Sequence, residues 1–337
     1  MNPGKEKNSK PYWEQPFTPE EEGCDIRRIE LDGAPFFYTE IPVRRPAGSV
    51  SEEKNEEKSA DIVFFADTHL SFFDEDDLRD PELAYTHVCR SWCRDGATAE
   101  NARRAMKFAS AADQTVVCGD VIDYLTAGSL RLAEECIVSA DPLVLLAAGG
   151  HEYVKQMQTG RPESEPFDVR RGRLEAAWHN DMYYVSREVG GCAMVILLNN
   201  ALHRWYGVSA ERLKADLNEA RKKGLAVLIF EHEPISTGRP EDEAAPCCRV
   251  FDGDHYDIYR TAVGGPADTD PADREIYELI THSGDVIRGI FCGHLHSAYR
   301  TSVKAFAPSG KRADIPQYVI EGCAYDCGRA AVIRVTT

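Results

Sequence analysis

The chain has 337 residues, 43% hydrophobic and 28% charged, enough for one large globular domain or two smaller ones with a sizeable core. Its formal net charge of −17 excludes polyanionic surfaces as natural partners, because a nucleic-acid backbone or an anionic membrane would repel it. A small anion stays possible where a bound cation reverses the local field.

The eleven cysteines are irregularly spaced. Cys118, Cys192 and Cys292 lie in apolar runs, as small buried thiols would. Cys247 and Cys248 are adjacent, poor geometry for a mutual disulfide, and neither Cys89/Cys93 nor Cys323/Cys327 has a matching pair to complete a metal site. The expectation is a reduced, cytoplasmic chain. Residues 1–15 are polar, without a secretory core, and no apolar run approaches the ~20 residues of a membrane span.

In chain order, residues 1–23 read as a loosely held arm. Residues 25–31 and 35–41 read as a hairpin around Asp32-Gly33, and 44–60 as a charged linker, so the main domain is placed at 61–337 and residues 1–60 outside it. Strands are expected at 62–66, 115–118 and 143–148, with helices at 97–111 and 130–138 between them. This alternation implies parallel strands with crossover helices. Residues 153–180 read as polar and irregular. A hairpin follows over 182–188 and 192–199, then a helix from an N-cap at Ser209 to a stop at Gly224. A strand at 225–230, a long insertion at 235–272, a helix at 273–282 and strands at 286–292, 317–321 and 330–335 complete the reading.

Five of the strands end in reactive side chains: Asp67 and His69, Asp120 and Asp123, His151, His232, and His294 and His296. Open α/β sheets bind ligands at their carboxyl ends, so the five sets can converge. Asp-x-His and His-x-His in extended chain would each point both side chains to one place. Carboxylate and neutral imidazole together suit Mn, Fe, Zn or Ni.

The ordered set Asp-x-His, Gly-Asp-x-x-Asp, Gly-x-His-Glu, His and Gly-His-x-His resembles the calcineurin-like metallophosphoesterase superfamily over about residues 61–300. The resemblance implies a four-layer α/β/β/α sandwich, two mixed sheets flanked by helices. It implies two metal ions, one on Asp67, His69 and His296 and the other on His232 and His294, bridged by Asp120 and by a nucleophilic hydroxide. His151 is then the acid that protonates the leaving oxygen, and Asp123 orients a ligand or His151. The implied activity is hydrolysis of a small phosphorylated substrate. Asp67-Thr68-His69-Leu70 and Gly119-Asp120-x-x-Asp123 resemble the bacterial cyclic-nucleotide phosphodiesterase branch and point to a small phosphodiester, with a phosphomonoesterase or protein phosphatase on the same core as alternatives.

The sequence departs from the family at one ligand. The family motif is Gly-Asn-His-Asp or Gly-Asn-His-Glu, whereas this chain has Gly149-Gly150-His151-Glu152. Gly150 offers no amide oxygen, so the second metal should be held more weakly. Three explanations stand open: an Asn→Gly variant, natural tolerance of glycine, or loss of catalysis with retention of phospho-ligand or partner binding.

Other residues have blander readings. His87, His179, His255 and His282 are expected to be surface or locally bonded, with His203 only a weak candidate to reach the site. Glu152 reads as an orienter of His151 or a helix-start carboxylate, and residues 74–77 as an acidic surface turn. In the long insertion, Arg239, Arg249 and Arg260 read as solvated charges, and Phe251, Tyr256 and Tyr259 as packing groups.

Overall fold

A computed structural model describes residues 11–16, 18–19, 25–46, 58–90, 96–154, 165–238, 263–265, 269–325 and 327–336. Residues 1–10, 17 and 20–23 of the arm, most of the charged linker, Cys93, Cys247, Cys248, His255 and the six insertion residues named above lie outside the described residues. The rest of the arm is held rather than loose, with Trp13 buried and Thr18 and Pro19 paired to Arg28 and Arg27.

The first half supplies β1 (Thr18–Pro19), β2 (Ile26–Leu31), β3 (Ala34–Arg44), β4 (Ser59–Phe65), α1 (Pro81–Cys89), α2 (Ala97–Phe108), β5 (Gln114–Cys118), α3 (Ala127–Ala133), β6 (Leu145–Ala147) and α4 (Phe167–Trp178). The second half supplies β7 (Tyr184–Val189), β8 (Ala193–Leu198), α5 (Ala210–Lys223), β9 (Ala226–Phe230), α6 (Pro271–Thr281), β10 (Ile287–Cys292), β11 (Tyr299–Val303), β12 (Ile315–Val319) and β13 (Arg329–Thr336).

They form two mixed sheets, in the orders β1-β2-β3-β13-β4-β5-β6 and β11-β12-β10-β9-β8-β7. β4, β5 and β6 run parallel, as do β8, β9, β10 and β12. Alternation along the strands divides the core into layers. In β4, Ala60, Ile62 and Phe64 join Val116, Val195, Leu228, Phe230 and Phe291 between the sheets, while Val63 and Phe65 face the cluster that holds Ala102, Ala105 and Phe108 of α2. The outer face of the second sheet buries Met194, Ile196, Val227 and Ile229 against Leu213 and Leu217 of α5 and Ile276 and Ile280 of α6. The result is an α/β/β/α sandwich.

Several expectations need correction. The hairpin assigned to residues outside the main domain is part of its larger sheet: β3 pairs parallel with β13 from Phe37–Arg329 to Arg44–Thr336. A partner strand nearly three hundred residues away leaves no local trace. Residues 167–178 are helix rather than irregular chain. The buried face of α4 is Arg170, Leu174 and Trp178, so an arginine occupies an apolar slot, and Gly172 lies in the interior. α1 was hidden by its opening acidic turn, yet Asp80 caps it by accepting from the Glu82 N–H with Pro81 following.

Ser209 does not cap α5; its backbone is already helical and its hydroxyl donates to the Tyr183 carbonyl. Gly224 does end that helix, at φ +64°. Asp77 is no surface turn residue: it is buried, and its carboxylate accepts the N–H groups of Ala127 and Gly128 at the start of α3. Cys118, Cys192 and Cys292 are buried free thiols, and Cys323 and Cys327 are unpaired. Among the described residues no helix is long and apolar enough to cross a membrane.

Candidate metal centre

The carboxyl ends of β4, β5 and β6 in one sheet and of β9 and β10 in the other meet at one edge of the sandwich. The loops that leave them are clasped by main-chain bonds: Asp67 N donates to Gly119 O, His69 N to Asp120 O, and Gly293 N to His232 O. The ends of the two sheets are joined by His294 N, which donates to both carboxylate oxygens of Asp67 at 3.1 Å.

These bonds draw Asp67, His69, Asp120, His232, His294 and His296 together. The donor atoms of Asp67, His69, Asp120 and His296 lie within 4.8 Å of one another, and so do those of Asp120, His232 and His294. Asp120 is common to both groups, its Oδ2 lying 3.3 Å from His232 Nε2 and 3.9 Å from His69 Nε2. The side chains reach this point by a different backbone from the extended one expected. Asp67, His69, Asp120, His294 and His296 all have positive φ, between +42° and +70°. Such conformations cost about 1–3 kcal/mol each in non-glycine residues and persist where the surroundings over-determine them.

Three motif glycines make the approach possible. A Cβ on Gly119 would lie 1.9 Å from His232 Nδ1, on Gly149 2.3 Å from Asp120 Oδ1, and on Gly293 2.3 Å from Asp67 Oδ2. Gly150 differs: a Cβ there meets nothing within 4 Å, and its backbone is in the right-handed helical region.

The ligand candidates are oriented from behind. His69 Nδ1 lies 3.1 Å from Asp123 Oδ1, and His296 Nδ1 is in hydrogen-bond contact with the Tyr325 hydroxyl at 2.7 Å. Both rings therefore turn Nε2 inward. Asp123 in turn receives Arg90 through Nε at 3.0 Å and through a terminal nitrogen at 2.5 Å. His151 donates through Nδ1 to the Asp123 carbonyl at 2.7 Å, which leaves its Nε2 3.9 Å from Asp120 Oδ2.

The electrostatics of the chain without a cation are strongly perturbed. Burial alone would raise the Asp120 carboxyl, but His232, His151 and His69 hold it well below the usual range. Burial likewise opposes charge on His151, yet Asp120 and Asp123 push it up to about 9. His232 rises to about 10 against the same penalty, chiefly through Asp120, and burial beside it drives His294 down to about 4. Two pairs of imidazole nitrogens face each other at 3.2 Å, His69 with His296 and His232 with His294. In the metal-free chain a proton on one nitrogen of each pair can be shared with the other, and a cation could take its place. With the carboxylates of Asp67 and Asp120 alongside, the donor set fits a divalent or trivalent cation.

Some residues of this centre carried little or no signal in the sequence. Arg90 and Tyr325 support it from distant segments. Glu152 is fully buried and clamps the loops after β5 and β6 by accepting Ile122 N and Gly149 N; burial pushes its carboxyl up to about 7. Glu231 lies beneath His232 and accepts from Trp205 Nε1, with burial pushing it up to about 8. Their neighbours in sequence gave a usable cue, since an acid directly against a motif histidine is placed where the chain is buried. Of the remaining described histidines only His203 lies beside the centre, its ring 6.2 Å from that of His294; His87 packs on Phe73, His179 follows α4, and His282 bonds to the Glu278 carbonyl.

No family model and no curated protein matches this sequence. Among solved structures, a dimetal phosphatase from Danio rerio is similar at 14% identity and TM-score 0.46, covering 79% of this chain and 88% of its own. A purple acid phosphatase from yellow lupin (Lupinus luteus) seeds is similar at 11% identity and TM-score 0.44, covering 91% of this chain, which spans 48% of the lupin protein's length. At these values the likenesses carry no weight for function, and the side chains of this protein must carry it. The two-sheet sandwich and the drawing together of the motif side chains are what the sequence resemblance implies for the fold.

Proposed function

We propose that the protein is a metal-dependent hydrolase of phosphate esters. The observation that carries this reading is the sharing of one carboxylate: Asp120 belongs at once to the group with Asp67, His69 and His296 and to the group with His232 and His294. In this reading Asp67, His69 and His296 would hold one cation and His232 and His294 another, with Asp120 within reach of both. Such a pair supplies positive charge for the phosphoryl oxygens and makes hydroxide available near neutral pH.

The chain's own groups do the rest. His151 is anchored through Nδ1–H on the Asp123 carbonyl, with the Asp123 carboxylate 3.3 Å away, so Nε2 is the nitrogen left to carry a proton toward the centre. That proton faces the centre and serves the departing ester oxygen. Asp123 acts through its neighbours, fixing the His69 ring and backing His151, with Arg90 neutralising its buried charge. Asp67 and Asp120 are held ionised by the imidazoles around them and so are ready as ligands. The native metals are drawn from Mn, Fe, Zn and Ni on donor chemistry alone. The net charge of −17 favours a small phosphorylated substrate over nucleic acid, and the motif likeness favours a phosphodiester.

The test is a panel of aryl phosphate and bis-aryl phosphate substrates with added Mn, alongside metal analysis of wild type and Asp120→Asn. Hydrolysis that depends on metal and collapses in the variant is expected. A protein that takes up no transition metal at any pH would sink the reading.

A further inference from the structure

Two imidazoles outside the proposed ligand set flank it. His151 packs edge-on against His69, with ring centroids 4.8 Å apart. His203 packs in the same manner on the other side, 6.2 Å from His294. The loop that carries His203 is built with unusual rigidity for a surface segment. Asn199 donates to the Met182 carbonyl at 2.6 Å and accepts Ala201 N at 2.9 Å. Asn200 brackets the backbone of Glu233, donating to its carbonyl at 2.6 Å and accepting its N–H at 2.9 Å. Leu202 and His203 are consecutive non-glycine residues with φ of +64° and +59°, a conformation that must be enforced. The enforcement comes from Glu233, whose carboxylate accepts both the His203 N–H at 3.2 Å and the ring Nδ1 at 2.6 Å.

Burial is unequal in this pair: the Glu233 side chain is 2% exposed and the His203 side chain 54% exposed. A buried carboxylate committed twice to one exposed residue does not resemble an ordinary surface ion pair, which holds two mobile side chains in water. It resembles the way carboxylates fix the tautomer and direction of working histidines. The position also matters. The neighbouring group of donors has only Asp120, His232 and His294, and Gly150 adds no side chain to it.

We propose that His203, aimed by Glu233, contacts the substrate: its Nε2 binds a non-bridging phosphoryl oxygen of the ester on the His232–His294 side. This rests on the two-metal reading above. His203 is then a binding residue and Glu233 a positioning residue, complementary to His151 across the centre.

The test loads wild type, His203→Ala and His203→Gln with Mn and follows three quantities. These are metal content by mass spectrometry, binding of inorganic phosphate by calorimetry, and the split between KM and kcat for an aryl phosphate. His203→Ala should keep the wild-type metal content, bind phosphate at least about tenfold more weakly and raise KM by a similar factor, as loss of a hydrogen bond to a charged group does. His203→Gln, whose amide can donate, should recover part of the phosphate affinity. Unchanged phosphate affinity in His203→Ala with normal metal content overturns this proposal and leaves the two-metal reading standing. Loss of a metal equivalent in His203→Ala also overturns it, because the ring is then a ligand. A wild-type protein that takes up no Mn overturns both.

Discussion

Replacing Gly150 with asparagine tests the candidate centre where the sequence departs from the motif it resembles. The backbone there has φ −68° and ψ −37°, open to any residue, and a Cβ meets nothing within 4 Å. The next glycine back is the opposite case: a Cβ on Gly149 would lie 2.3 Å from Asp120 Oδ1 and 2.7 Å from His232 Cδ2. Asparagine should therefore enter position 150 without strain, and loss of unfolded-state freedom should add about 0.4–1 kcal/mol of stability. If its amide oxygen reaches the cation near His232 and His294, a contact to a charged centre is worth about 1.5–3 kcal/mol. That is roughly ten- to hundredfold in affinity for the weaker metal. The assay is metal titration against a competing chelator for wild type, Gly150→Asn and Gly150→Ala, with aryl phosphate hydrolysis at limiting metal. Both variants should share the small gain in Tm, and only Gly150→Asn should tighten the weaker metal and raise hydrolysis. Equal metal affinity in the asparagine and alanine variants would refute the reasoning, since the amide would then contribute nothing.

Arg90→Met removes two contacts, at 3.0 and 2.5 Å, from the wholly buried Asp123 carboxylate; a loss of about 3 kcal/mol in urea unfolding and a lower kcat are expected, and an unchanged kcat would show that Asp123 needs no countercharge. Glu231 is raised from 4.5 to about 8 by burial, so the native metal-free protein holds a proton that the unfolded chain releases, and stability should fall as pH rises from about 4.5 to about 8. Glu231→Gln should flatten that fall in urea unfolding of the metal-free protein at pH 5 and pH 8, and an unaltered slope would contradict the assignment. Phe230→Ala opens a hole where Phe230 meets Phe64 and Phe291 at 5.3 and 5.0 Å between the sheets, and should cost about 3–5 kcal/mol by the same unfolding measurement.

The parts of the fold that are legible in sequence are those with a local cause. Strands β5, β9 and β10 are buried almost throughout and end in apolar runs that stop at a glycine or a charged residue, which is how parallel strands under helices read. The hairpin of β2 and β3 is legible from Asp32-Gly33, both at positive φ as a tight hairpin turn requires. Its membership of the main sheet is not, because that depends on β13, far along the chain. α4 escaped because Arg170 fills a buried slot of its inner face. β11 escaped for a similar reason: an edge strand of Tyr299, Arg300, Thr301, Ser302 and Val303 buries only its last residue.

The site was legible as a set of strand-end histidines and aspartates and illegible as a supported structure. Histidines and aspartates at strand ends announce themselves; Arg90, Tyr325 and Glu233 do not, because their roles come from where other segments place their partners. Glycine shows the same division more sharply. Gly119, Gly149 and Gly293 each lie against a candidate ligand side chain, so sterics alone dictate them, as a Cβ would come within 2.3 Å of His232, Asp120 or Asp67. Gly150, one residue on from Gly149, has free space and an ordinary backbone, so nothing in packing or conformation requires it. Four glycines that look equivalent in the motifs thus divide into three that the fold demands and one that it merely permits. Since packing does not decide position 150, the proposed function predicts that its effect shows in chemistry, through how firmly a cation beside His232 and His294 would be held.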